Sequence, residues 1–230
     1  MAAMGTVIMD NALLRLLHLV SPTLPTGAFS YSQGLEWAVE RGWVNDGIRL
    51  EQWLLDLAEN SMASVDIPIL SRMYTAIKHG DVEALRQWIE ILLACRESSE
   101  LQQEEQIRGR AFSTLLENLI LQEHEIPQSL LKRSQLAGFA LAAVCWDISV
   151  SDAALGYTWA WLENQMITGV KIIPLGQTEG QQILLRVSAQ LPAIVQKGLR
   201  LSDNEIGASS PALALCCSRH ETQYTKLYRS

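Results

Sequence analysis

Two serines, Ser30 and Ser32, sit in SPTLPTGAFSYSQGLE at 21–36, and a nucleophilic serine is the first chemistry they could supply. A hydrolase elbow sets its serine in Gly-x-Ser-x-Gly so that a strand can turn sharply into a helix. Ser30 has Ala28 and Ser32 in the two glycine places, while Ser32 has Ser30 and Gly34, so neither fits. With no strand pattern before them and no evident His/Asp partners, serine catalysis is set aside. His124-Glu125 and His220-Glu221 begin like zinc-protease helices, yet Gln128 and Tyr224 stand where the second histidine belongs. Cys216, Cys217 and His220 place thiols and an imidazole one helical turn apart, a spacing a metal could use. One turn of one helix does not close a tetrahedral shell, and thiols packed in the core beside a hydrogen-bonded histidine use the same residues more simply.

No Gly-x4-Gly-Lys-Ser/Thr occurs and no Gly-x-Gly-x-x-Gly follows a strand, so the chain shows no means of cradling a nucleotide. Gly176 and Gly180 flank Thr178, where free N–H groups at a helix start could hold an anion. A tight turn with a cap explains the same spacing. The polar run Arg96–Arg110 reads as a solvated helix face, with Glu104 and Arg108 able to pair at i, i+4.

The elements that would carry these residues are helices. Leu85, Trp88, Ile89, Leu92 and Leu93 form an apolar stripe behind Asp81, an N-cap residue. Similar periodicity predicts helices over 12–20, 47–62 and 101–121, and a second helix of the opening stretch near Ser30 or Tyr31. Segments 129–147 and 151–170 are apolar almost all round, which predicts central helices. Thr178 and Gln181 resemble a capping box and predict a helix from about Glu179 that Pro192 kinks or ends, with 171–177 a loop. Ser210 and Pro211 open a last helix expected to run to the end of the sequence, and 201–210 reads as a connection between helices. No period-2 alternation is bounded by hairpin turns, so the expected fold class is all-α, one domain over 1–230 with a flexible lead at about 1–10.

Composition narrows the function classes. Eighteen basic against 25 acidic residues and no Lys/Arg cluster argue against nucleic acid as a partner. Only 19% of residues are charged and seven are Trp, which favours apolar surface covered by other subunits. The four cysteines lack CxxC spacing, the N-terminus lacks signal-peptide features and no apolar run reaches membrane-spanning length, so a reduced, cytoplasmic protein is expected.

Four stretches taken together resemble the urease accessory protein F (UreF) family. They are SPTLPTGAFSYSQGLE, Gly109-Arg110-Ala111, IIPLGQTEGQ at 172–181 and SRHETQYTKLYRS at 218–230, in family order across almost the whole chain. The resemblance implies an all-α protein of about ten helices, usually a dimer, with no catalysis and no cofactor of its own. It implies binding to urease accessory protein D (H in some systems), which recruits the GTPase accessory protein G, so that nickel reaches apo-urease with nucleotide turnover tuned by the F-type chain. Carried over residue by residue, the partner-contact candidates are Ser30, Tyr31 and Glu36, then Lys171, Gln177 and Gln181, then His220, Glu221, Tyr224 and Arg229. Lys171 stands where many members have Arg, which changes its hydrogen-bonding geometry. For Glu36, a surface contact and a buried hydrogen-bonded carboxylate both remain open. A direct nickel-binding metallochaperone, built on Cys216, Cys217, His220 and His124, is the alternative.

Overall fold

Helix starts in this chain are written in side-chain oxygens. Asp46, Asp81, Ser98, Ser134 and Ser149 each sit at an N-cap and accept a hydrogen bond from the amide three residues on. Each bond satisfies one of the free N–H groups that a helix end exposes. In chain order the helices are α1 (Ala3–Leu19), α2 (Leu35–Glu40), α3 (Gly47–Leu57), α4 (Ile67–Lys78), α5 (Val82–Ala94), α6 (Ser99–Leu119), α7 (Gln128–Leu131), α8 (Gln135–Cys145), α9 (Val150–Ile172), α10 (Gln177–Ser188), α11 (Leu191–Arg200) and α12 (Pro211–His220). The computed structural model describes residues 11–120 and 124–230 in full, with the helical backbone from residue 3. The flexible lead expected at 1–10 lies outside the fully described residues, as does Leu121, the expected end of the 101–121 helix. Among the described residues there is no strand, and ten of the helices run ten residues or more.

A π-helical segment, Ala58–Asp66, joins α3 to α4 without a break. Its wider turn lets Asp66 point inward, at 3% exposure, from a stretch otherwise lined with Met62, Ala63 and Val65. Buried apolar residues from Leu19 to Cys216 belong to one connected cluster. At its centre lies α8, buried from Gln135 to Ala143, as its apolar sequence predicts. The longest helix, α9, crosses the core but is not dry, because Leu155 and Ile167 reach the surface while Thr158 and Gln165 are buried.

Glycine makes one of these contacts possible. A Cβ on Gly109 of α6 would lie 2.9 Å from the backbone nitrogen and 3.0 Å from the carbonyl carbon of Ser134, the cap of α8. Backbone cannot swing aside as a side chain can. Gly109→Ala is therefore expected to cost about 1–3 kcal/mol by forcing α6 and α8 apart, read as a lowered denaturation midpoint in urea.

Several boundaries differ from the sequence reading for physical reasons. The 129–147 pattern is two helices, interrupted where Ser134 leaves helical geometry to cap α8. In the opening stretch, a 3-10 turn (Ala28–Ser30) precedes α2, which starts only at Leu35, because Gln33 and Gly34 take left-handed backbone at φ 50 and 80°. α10 begins two residues before Glu179, after Gly176, with no side-chain cap, so the expected Thr178–Gln181 capping box does not form. Pro192 falls in the first turn of α11, where its missing N–H costs nothing. The last helix stops at His220 rather than continuing, and the chain turns back. Among the described residues, no helix is long and apolar enough to cross a membrane.

Candidate functional site

That returning tail, residues 221–230, docks on the opening stretch. Glu36 in the first turn of α2 is 7% exposed and organises the contact. One of its carboxylate oxygens accepts the amide of Leu227 at 2.7 Å, and the other accepts the amide of Tyr228 at 2.9 Å. His220, fully buried at the end of α12, places Nε2 3.2 Å from Glu36 and Nδ1 2.7 Å from Glu100 of α6. Glu100 also takes Lys226 Nζ at 2.7 Å, so the imidazole and the tail share one carboxylate. Further along, the Arg229 amide donates to the Ser30 carbonyl at 2.8 Å, and the Ser32 amide to the Ser230 carbonyl at 2.8 Å. Short backbone bonds of this kind pair two irregular segments that would otherwise leave polar groups unmet. Glu221 faces away and caps α6 instead, accepting the Ser99 amide at 2.7 Å and its hydroxyl at 2.8 Å. Those Ser99 bonds first, and Lys226 among weaker causes, hold the Glu221 carboxyl below the usual range despite some burial.

Under the clasp lies an ion network. Arg96 donates to Asp66 at 2.6 Å and to Glu105 at 3.1 Å, and Glu105 also accepts the Ser134 hydroxyl at 2.8 Å and the Leu136 amide at 3.0 Å. Arg108 pairs with Glu104 at 2.7 Å, the i, i+4 pair that spacing predicts. Glu104 extends the network to both ends of the clasp, accepting Gln33 Nε2 at 3.0 Å and the Ser230 hydroxyl at 3.1 Å. The run Arg96–Arg110 is thus a solvated face only in part: Glu97, Gln102, Gln103 and Arg110 are exposed, while Glu104 and Glu105 are buried, because α6 lies between α12 and α8. Burial pushes the Glu105 carboxyl up, but Arg96 and the Leu136 and Ser134 donors pull harder and leave it below the usual carboxylate range. The Tyr157 phenol is driven well up by burial and by the nearby Asp66 and Glu105 charges.

These contacts join the first and last of the quoted motifs in one assembly, and Gly109 of the second allows the close approach of α6 to α8 behind it. Comparison with known proteins then decides the family. The UreF family model matches residues 44–188. A protein named urease accessory protein UreF from Alcanivorax borkumensis is 47% identical over 228 residues, covering 96% of this chain and 99% of that protein. Proteins of the same name from Pseudomonas putida W619 and Escherichia coli O157:H7 are 46% and 43% identical, over 96% and 94% of this chain. The chain belongs to the UreF family. The relatives are accessory proteins by name, and the all-α fold agrees with the family expectation.

In this UreF-family chain the partner-contact candidates separate by burial. Tyr31, Glu36 and His220 are buried, Ser30 is half-buried, and Glu221 is exposed but tied to Ser99. Their bonds are internal, so Glu36 is the buried hydrogen-bonded carboxylate of the two readings left open. Lys171, Gln177 and Gln181 are exposed together around the α9–α10 connection, and Tyr224 and Arg229 are exposed on the tail. Lys171 lies in the last turn of α9 rather than in a loop.

The metal candidates do not converge. Both ring nitrogens of His220 already face Glu36 and Glu100. Cys216 and Cys217 are fully buried, and burial raises the Cys216 thiol to about 12 and the Cys217 thiol well above its ordinary value. They pack instead against Gly34, where a Cβ would lie 2.9 Å from Cys216 Cβ. Among the described residues, no group of three or more His, Cys, Asp or Glu is placed to hold a metal. Sequence reasoning missed Glu100, Glu104, Glu105 and Arg96 as the polar frame of this region. The signal was there in Arg96, since an arginine between an apolar stripe and a capped helix start invites a buried partner.

Proposed function

We propose that this chain is a non-catalytic scaffold of urease maturation. It binds urease accessory protein D (H in some systems), which recruits the GTPase accessory protein G, and the assembly delivers nickel to apo-urease in the cytoplasm. The F-type chain, acting as a homodimer within that complex, tunes the GTPase so that metal delivery follows nucleotide turnover. Near-full-length similarity to proteins named urease accessory protein UreF is the observation that carries this reading. The physical picture supports it: polar residues of the shared motifs are spent on holding the tail in place, which leaves Tyr224 and Arg229 presented outward, residue types that anchor interfaces. At the other motif, Lys171 with Gln177 and Gln181 offers a cation and amides suited to the polar loops around a partner's nucleotide. The direct metallochaperone reading finds no support in the positions of Cys216, Cys217 and His220.

Lys171→Ala is expected to leave the melting temperature unchanged, because the side chain is exposed and makes no ion pair among the described residues. Urease activation by the complete accessory set should fall severalfold. A marked drop in melting temperature with activation intact would assign Lys171 to the fold instead. Assembly is tested by mixing the chain with purified D-type and G-type proteins and following complex size; failure to co-assemble sinks the proposal.

A further inference from the structure

Beside the network, a cavity of about 120 Å³ runs from the ion pairs to the surface between the 20–29 segment and α9. At roughly 30 Å³ per water it is room for about four waters or one extended side chain. Its buried wall carries Asp66, Glu104 and Glu105 against Arg96 and Arg108. Nearer solvent stands Glu163, half-buried, with no hydrogen bond or ion pair among the described residues. The lining therefore holds four carboxylates and two guanidinium groups, an excess of acid at formal charges. Around the same opening, Phe29 is 63% and Ile167 38% exposed, large apolar side chains that water solvates poorly.

From this combination we infer that the cavity receives a lysine or arginine side chain of the D-type accessory protein, its stem against Phe29 and Ile167 and its charged tip beside Glu163. The inference rests on the assembly reading above. A free metal ion or a small anion would make no use of the apolar rim, whereas a basic side chain has an apolar stem and a cationic end in that order. Burial without a counter-charge raises the Glu163 carboxyl, and an incoming cation offsets that burial. Charge complementarity at a desolvated opening, ringed by apolar contacts that exclude water, is how interface anchors gain both affinity and register.

The test measures affinity of the full chain for purified D-type protein by calorimetry at low and moderate salt. Glu163→Lys is expected to weaken binding about a hundredfold and Glu163→Gln about tenfold, as for loss of a buried interfacial charge pair. Phe29→Ser serves as an independent probe of the rim and should weaken binding without changing the salt dependence. A Lys/Arg-to-Ala scan of the D-type surface should yield one variant whose loss does not add to that of Glu163→Gln. Wild-type affinity in Glu163→Lys and Phe29→Ser, with normal assembly of the unmodified chain, overturns the cavity site alone. No binding by the unmodified chain overturns the assembly reading and this site with it.

Discussion

Glu36→Ala should lower folding stability by about 3 kcal/mol, since it strips a buried imidazole and two amides of their shared acceptor. For a chain of this size that is a fall of about 6–12 °C in melting temperature. The loss is not confined to one contact: His220 keeps only Glu100, while the Leu227 and Tyr228 amides face a cavity where a carboxylate stood. The tail from Glu221 onward should become sensitive to protease, and the two amides should exchange with solvent orders of magnitude faster. Glu36→Gln retains one carbonyl acceptor and should fall between the two. Unchanged melting and unchanged amide protection in Glu36→Ala would show that the tail is held by something other than this carboxylate.

Arg96→Met carries the other large effect. It removes the cation from between Asp66, 3% exposed, and Glu105, 5% exposed, and leaves two buried carboxylates without the guanidinium that bonds both. Breaking a buried pair in this way costs about 3–5 kcal/mol, even though replacing the whole network with apolar residues would cost less. The pH dependence follows from the Glu105 carboxyl, which folding holds below its ordinary value. Its contribution in the wild type is present above the unfolded carboxylate value of about 4.3 and is lost as pH falls through the lower folded value. In Arg96→Met the largest part of that contribution is lost, leaving the Leu136 and Ser134 donors and the more distant Arg108, and protonation relieves the poorly compensated charges. The stability gap between the two proteins should therefore be widest near neutral pH and narrow as pH falls through the carboxylate range. Urea denaturation at pH 7 and pH 4 measures it; a gap that is constant or grows on acidification contradicts the account.

The helices were legible because apolar spacing and cap residues act locally. Asp81, Ser98 and Ser134 need only their own next turn to act as caps. What was not legible depends on distant partners. Whether Glu36 faces solvent is decided by residues 227 and 228, nearly two hundred positions away, and no local pattern encodes that meeting. The fate of Arg96–Arg110 is similar: Glu104 and Glu105 would be solvated on a surface helix, and they are buried because α8 and α12 cover that side of α6, while Glu97 and Arg110 stay exposed. His220 shows the limit most plainly. Its spacing from Cys216 and Cys217 allowed a metal reading, and only the positions of Glu36 and Glu100 assign both ring nitrogens to carboxylates. Of the residues that carried the family resemblance, Glu36 and His220 of the first and last motifs fix the tail, while Lys171, Gln177 and Gln181 stand exposed at the α9–α10 connection.

The central claim, that the chain acts by assembly rather than by catalysis, meets its most direct test in reconstitution. Apo-urease, nickel, GTP and the D-type and G-type proteins are combined with and without this chain, and urease activity is followed over time. The account predicts that activation requires the chain in stoichiometric amount and coincides with a complex containing all three accessory proteins. Full activation without it, or activation by a trace of it with no such complex, would contradict the account.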